Sequence, residues 1–468
     1  MSREKELTKN TMIVSIGRIC TQCISFLLLP LYTNKLTTEE YGVVDLLNTY
    51  ITLLVPIIIL EIQQAVFRFL IDNRKNEEEK SKLISTTIII SVIECIVYFL
   101  VYLLIGNLIK SQYKYFLASN VIATVFSSIM LQISRGLGDN KTYTIGSFVT
   151  ATTTIIFNVA FIVAFKWGAY GMLLASFIAN ILCSVYIVIR LKIFKYCKIK
   201  YFDKDKLKQM LKYSIPLIPN AISWWVMSVS DRTIITAVLN IGMNGIYSAA
   251  NKFSAIFSTI SNIFSITWTE STSMHINDSD GADYFSNVIN KVFKFFSCLC
   301  VGMISVIPFA FPILIGKSYA EAYYQIPILL LGGLCNAMVL LLSSIYIAKK
   351  MTKKVAQTSI ISAIINIVVN LALIKFIGLY AASISTFIAY FSMMIIRMKD
   401  IKKYIDIKFD QKTLIEIAIV NIMVCVSYYI NNMILNVICF ILVLIYCFVV
   451  NRKDVMSIIE MVLKRKSK

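Results

Sequence analysis

The residues best equipped for chemistry in this sequence are charged and aromatic side chains set inside long apolar runs. Arg18 shares one helical face with Thr11, Ser15, Gln22 and Ser25, which recur at steps of three and four. Glu61, Gln64 and Arg68 share a face of the next run, and Glu94 stands alone in the third. The seventh run carries Trp224, Trp225, Asp231 and Arg232. Along the eighth, Tyr247, Asn251, Ser254, Ser258, Ser261 and Ser265 form one stripe, with Lys252 beside it. In hydrocarbon such side chains must face other helices or a wet cavity. Arg18 sits ~12 Å into its run at ~1.5 Å per residue, where an arginine costs ~2.5–3.5 kcal/mol to insert.

An arginine-lined cavity takes an anion, and the planar guanidinium fork matches the oxygens of a diphosphate. The candidate cavity residues are therefore Arg18, Gln22, Glu61, Arg68, Glu94, Trp225, Asp231, Arg232, Asn251 and Lys252. Plainer uses stand beside this one. Small polar residues help membrane helices pack, Arg68 can snorkel from the end of its run, and Asp231 and Arg232 can pair. Glu94 either pairs with a cavity base or handles a coupling ion. Trp224 and Trp225 serve core packing or stack on sugar rings.

Nothing in the sequence makes or breaks the anion. There is no phosphate loop, Gly-rich nucleotide motif or nucleophilic triad. The 11 cysteines are scattered, mostly inside apolar runs, and the single histidine, His275, falls in a polar stretch. No disulfide framework, metal site or cofactor is expected, and no enzyme activity.

The elements that position these residues follow from composition. Of 468 residues, 58% are hydrophobic and only 15% charged, and apolar runs of about 20 residues, long enough to span a bilayer, recur throughout. Strand-like alternation is missing, so the spans are helices. They are expected near residues 11–33, 42–70, 83–105, 115–137, 143–165, 170–189, 214–239, 245–268, 288–311, 324–348, 355–376, 379–396, 414–430 and 433–450. The fold class is an all-α integral membrane protein of about 14 transmembrane helices, with the first read as an uncleaved helix rather than a signal peptide.

Lysines and arginines crowd into alternate loops and the tail, which accounts for the net charge of +20. By the positive-inside rule both termini and the loop around Lys200 are cytoplasmic, while residues 106–114 lie outside. Basic residues in short inter-span patches report topology, so a nucleic-acid partner is excluded. The bilayer is the partner. The stretch from His275 to Asp283 fits poorly, since Asp278, Asp280 and Asp283 have no nearby base in sequence.

The polar stretch Arg190–Tyr213 separates two sets of six spans. The expected domains are 1–200, 201–405 and 406–468: an N-terminal lobe, a C-terminal lobe, and two further helices with a basic tail. A shift of 203 positions lays Leu36, Gly42 and Asn48 on Leu239, Gly245 and Asn251. A shift of 212 lays Ser147, Thr150, Thr154 and Asn158 on Ser359, Ser362, Asn366 and Asn370. Two even-numbered halves insert the same way up and are related by an axis along the membrane normal, a layout suited to alternating access.

Ordered motifs across the chain carry a resemblance. They are LTTEEYG at 36–42, AVFRF at 65–69, YSIPLIPNAISWW with SDRTII in 213–235, GIYSAANKF at 245–253 and AYYQIPILLLGG at 322–333. The chain resembles Wzx-type polysaccharide-biosynthesis flippases of the multidrug/oligosaccharidyl-lipid/polysaccharide exporter superfamily. The resemblance implies twelve core spans plus two, and residence in the bacterial cytoplasmic membrane. It implies export of an undecaprenyl-diphosphate-linked oligosaccharide whose lipid tail stays in the bilayer. A polysaccharide polymerase and chain-length machinery are the partners it implies. Lipid II or teichoic-acid precursors are the alternative cargo. Cation-coupled drug exporters of that superfamily use a buried acid in the first helix, where this chain offers only Arg18.

Overall fold

The computed structural model describes residues 26–106, 112–276, 278 and 280–450. Among these residues the regular structure is helical throughout. In chain order the helices are α1 (Leu29–Lys35), α2 (Thr38–Ile58), α3 (Ile62–Asp72), α4 (Glu77–Ile105), α5 (Lys114–Gly136), α6 (Asn140–Val159) and α7 (Gly168–Arg190). They continue with α8 (Lys204–Ser214), α9 (Ile218–Val238), α10 (Ile241–His275), α11 (Gly281–Leu314), α12 (Ala322–Ala348) and α13 (Thr352–Ile377). The last three are α14 (Leu379–Ile401), α15 (Gln411–Ile430) and α16 (Met433–Val450).

Eleven described helices are long and apolar enough to cross a membrane. Helices α9 and α10, of 21 and 35 residues, are long enough but carry the polar stripes read above. The chain is a multi-pass membrane protein. Its exposed apolar side chains, such as Val97, Leu100 and Leu104 on α4 and Ile434, Ile441 and Ile445 on α16, are those a spanning helix turns to lipid.

Two compact units divide the chain, one ending at Ser248 and the other starting at Ala249. Compactness and sequence duplication are different criteria, and the first draws its line within α10. In the first unit α5 packs along α7, α6 pairs with α7, and α2 and α3 lie against α5. Polar ties fix these crossings: Asn120 Nδ2 donates to the Leu173 carbonyl at 3.2 Å and Ser127 Oγ to Asn180 Oδ1 at 2.7 Å. In the second unit α12 packs along α14 and α13 pairs with α14, with Ser383 Oγ donating to Gln325 Oε1 at 2.7 Å. Each unit thus contains the same helix trio, built from spans 4 to 6 in one and 10 to 12 in the other.

The matched stripes on α6 and α13 do different work. Ser362 Oγ reaches the Ala389 carbonyl at 2.7 Å and Asn366 Nδ2 reaches Thr386 Oγ1 at 3.2 Å, so the α13 stripe glues that helix to α14. On α6, Thr150 and Thr154 bond back to carbonyls of their own helix, while Asn158 Nδ2 donates to the Tyr32 hydroxyl at 2.7 Å.

Three expectations change. The second span is not continuous from 42 to 70. It breaks after Ile58, where Leu60 and Glu61 both adopt positive φ, 47° and 57°. Pro56 lies inside α2, and Glu61 N–H reaches back five residues to its carbonyl at 3.2 Å, unwinding the turn. His275 is not a loop residue but the last residue of α10. Two of the three aspartates after it do find bases: His275 Nδ1 lies 2.6 Å from Asp278 and Lys408 lies 3.6 Å from Asp283. Lys408 comes from a distant loop, so local sequence could not supply it.

Candidate functional site

The start of α2 is fixed by a reciprocal cap. Thr37 Oγ1 accepts from the Glu40 N–H at 3.2 Å and the Glu40 carboxylate accepts from the Thr37 N–H at 3.0 Å. This is the T-x-x-E box written in the LTTEEYG motif. It sets the phase of α2, so that Gly42, Asp45 and Thr49 share one face.

That face meets α9 and the beginning of α10. Arg232 Nε of α9 lies 2.7 Å from Asp45 Oδ2 of α2, with both side chains less than one-fifth exposed. The contact is ionic and off the line of a straight hydrogen bond. Arg232 Nη1 also donates to the Ser228 carbonyl at 3.2 Å. About two turns nearer the start of α9 than Arg232, Trp225 Nε1 donates to the Thr49 carbonyl at 2.8 Å. Asp231 is buried and accepts from the Tyr247 hydroxyl of α10 at 3.0 Å. Adjacent residues on a helix do not face each other, so Asp231 and Arg232 serve two different partners.

At the rim of this layer two glycines touch. A Cβ on Gly42 would meet the Ile241 carbonyl oxygen at 2.0 Å and Gly245 N at 3.0 Å; one on Gly245 would meet the Thr38 carbonyl oxygen at 2.0 Å and Gly42 N at 3.0 Å. The contacts are reciprocal under the 203-position shift, which also carries Thr38 onto Ile241. Only glycine allows backbones this close. Asn244 Nδ2 seals the crossing with a 2.9 Å bond to the Gly42 carbonyl. Asp45, Arg232 and Tyr247 each lie about 10 Å along their helices from the same end, at ~1.5 Å per residue. They form one polar layer, and the glycine crossing closes that end of it.

The remaining candidates lie elsewhere. Glu61 is buried at the helix break, where Gln63 Nε2 donates to it at 2.7 Å. The other amide atom, Gln63 Oε1, is buried without a partner. Interrupted spans are where membrane proteins place irregular backbone beside cavities. Arg68 is half-exposed on α3 and pairs with Asp72 at 2.6 Å. Glu94 Oε2 is buried without a partner on α4, as are Ser91 Oγ and Tyr98 Oη on the same face. Asn251 and Lys252 are half-buried on α10 beyond the unit boundary. Arg18 and Gln22 lie outside the described residues. The structure therefore brings together Trp225, Asp231 and Arg232, and adds Asp45, Thr49 and Gly42. Asp45 had a signal in the sequence, as an acid inside an apolar run. Among the described residues no cluster of His, Cys, Asp and Glu could hold a metal.

Comparisons with known proteins agree with this architecture. The family described as "Polysaccharide biosynthesis protein" matches residues 7–268, more than half of the chain. A Haemophilus influenzae protein named for the Lsg locus is 24% identical over 261 residues, which cover 53% of this chain and 62% of the relative. The chain thus spans about three-fifths of the length of that curated relative. Among solved structures, the lipid II flippase MurJ in an inward closed conformation superposes with a TM-score of 0.72 at 19% identity, covering 95% of this chain and all of that one. An inward-facing multidrug resistance MATE transporter of the MOP superfamily superposes at 0.70 and 12% identity, covering 83% of this chain and 99% of its own. At these identities the likeness is one of fold.

Proposed function

We propose that this chain, which belongs to the polysaccharide biosynthesis protein family, is a flippase that carries an undecaprenyl-diphosphate-linked oligosaccharide across the bacterial cytoplasmic membrane. The observation that carries the reading is Arg232. Its guanidinium is held inside a membrane bundle by a single carboxylate, Asp45, about two helical turns along α9 from an indole, Trp225. A diphosphate can take the place of that carboxylate, because two oxygens accept from the guanidinium fork side by side. The indole face suits a sugar ring.

The mechanism follows from what holds the layer shut. Asp45–Arg232, Asp231–Tyr247 and the glycine crossing tie α2, α9 and α10 together at one end. By the charge pattern of the loops that end is extracytoplasmic. Substrate entering from the cytoplasmic side competes with Asp45 for Arg232, and loss of the ion pair frees the crossing to part. The lipid tail remains in hydrocarbon while the head group passes. A polymerase and its chain-length partners would receive the sugar outside.

The second reading, a lipid II flippase, is favoured by the near-complete fold match to MurJ. One experiment separates the two. In a deletion strain, lipid-linked intermediates are extracted and assigned to leaflets by impermeant labelling. Accumulation of oligosaccharide-linked carrier on the cytoplasmic leaflet, relieved by the intact gene, is expected. Accumulation of lipid II instead selects the second reading, and accumulation of neither refutes both.

A further inference from the structure

The connector between α7 and α8 carries large apolar side chains where no spanning helix runs. Phe194 is 71% and Ile199 is 87% exposed. Around them Lys192, Lys195, Lys198 and Lys200 are exposed and enter no ion pair among the described residues. Nearby acids are already engaged: Glu77 with Lys80, Glu78 with Lys82, and Glu79 with Lys82 and Lys206. Asp203 caps α8, accepting from the N–H groups of Asp205 and Lys206.

This connector is fastened in place. Ser85 Oγ of α4 donates to the Tyr196 carbonyl and accepts from the Lys198 N–H at 3.1 Å. Thr86 Oγ1 accepts from the Asp203 N–H at 3.0 Å. Ile193 is buried, and Lys80 lies 6.0 Å from the centre of the Tyr196 ring. The exposed residues are therefore presented by a fixed backbone, and their display costs little further ordering.

We propose that residues 191–203 form a docking surface for the anionic lipid head groups of the bilayer that the chain spans. Phe194 and Ile199 seat at the boundary of head groups and acyl chains, and the four lysines lie over the phosphates. Three features select lipid as the occupant. The connector begins where α7, a helix of spanning length, ends, so the bilayer surface is its immediate surroundings. Lysine flanking aromatic and aliphatic side chains is the chemistry of interfacial segments. Protein interfaces, in contrast, are depleted in lysine at their centres. The inference stands whichever cargo is carried.

The test is hydrogen–deuterium exchange of peptides covering 191–203 in the full-length protein, reconstituted in nanodiscs of pure phosphatidylcholine or of phosphatidylcholine with phosphatidylglycerol. Each lysine near an anionic surface contributes about fivefold in binding. Exchange is expected to slow by about an order of magnitude in the anionic discs, and the slowing to fade in high salt as charges are screened. Lys192→Gln/Lys195→Gln/Lys198→Gln/Lys200→Gln should erase the dependence on phosphatidylglycerol while exchange in α5 and α12 is unchanged. Phe194→Ser/Ile199→Ser should raise exchange in both discs. A Lys349→Gln/Lys350→Gln/Lys353→Gln variant at the α12–α13 turn should leave the connector's lipid dependence intact. Equal exchange in the two discs overturns the proposal. So does loss of the dependence in the turn variant, or protection that arises only when cytoplasmic extract is added, which would assign the surface to a soluble protein.

Discussion

Gly245→Ala is the sharpest probe of the glycine crossing between α2 and α10. The new Cβ would stand 2.0 Å from the Thr38 carbonyl oxygen and 3.0 Å from Gly42 N. An ordinary contact needs about 3.5 Å, so α2 and α10 must part by more than ~1 Å. Overpacking of this kind costs typically ~1–3 kcal/mol, and parting also strains the 2.9 Å bond from Asn244 to the Gly42 carbonyl. The helix-propensity gain of alanine is the same in every conformation and cancels. Only the conformation that keeps the crossing pays the clash, so the equilibrium should move away from it by about five- to 150-fold. Gly42→Ala should do the same, since its contacts are reciprocal. Gly302→Ala is the control, because a Cβ there meets nothing within 4 Å. The assay is export of lipid-linked sugar together with hydrogen exchange over 38–45 and 241–248. Both glycine variants should reach the membrane, export poorly and exchange faster in those two segments. Normal export with unchanged exchange would refute the view that this crossing holds the end shut.

Three further outcomes are expected. Arg232→Ala strands Asp45 in a mostly buried layer, a loss of up to ~3 kcal/mol since the pair keeps some solvent; the exchanged pair Asp45→Arg/Arg232→Asp should recover melting temperature but not export, and failure to recover stability would show that the ion pair is not the tie. Arg397→Met should lower the melting temperature and membrane abundance, because hydrogen bonds from a charged group are worth about 1.5–3 kcal/mol each and Arg397 donates to Thr358 at 2.9 Å and to the Val339 and Val355 carbonyls at 3.2 Å; an unchanged melt would sink this account. Phosphatase fused after Lys200 should be inactive and after Gln112 active, and the reverse result would invert the direction of transport.

Much of the architecture was legible because a bilayer imposes one rule on every span. Apolar length located most of the long helices, and the cost of burying charge drew attention to Asp231 and Arg232. The 203-position shift, weak as an alignment, lays Gly42 on Gly245, and those two glycines make a reciprocal contact. The partners of the charged residues were not legible. Asp45 and Arg232 are separated by most of the first unit's sequence, and no local spacing says that α2 crosses α9. Lys408 finding Asp283 is the same case.

The break at Leu60–Glu61 and the burial of Arg397 show a second limit. Hydropathy averages over a run, so a two-residue reversal of φ leaves no trace in it, and Pro56 marks the neighbourhood rather than the site. Arg397 stands just past the twelfth run as composition draws it, where a basic residue ordinarily snorkels to water. It is instead fully enclosed, because α12 and α13 turn Ser343, Thr358 and Ser359 toward it. Of those hydroxyls only Ser359 stood out in the sequence, as part of the stripe matched with Ser147, and nothing there paired it with Arg397. Polar groups in membrane helices acquire their meaning in pairs. A hydroxyl stripe becomes glue, cavity wall or arginine cradle according to which helix the fold lays across it. Arg232 and Arg397 illustrate the two ends of that range. The guanidinium of Arg397 is saturated by hydroxyls and carbonyls that no substrate can displace without dismantling a helix trio. That of Arg232 is held by one carboxylate and one carbonyl, and an anion with two adjacent oxygens can compete for it. The first arginine is therefore a fixture of the fold, and the second is the one to test for a role in transport.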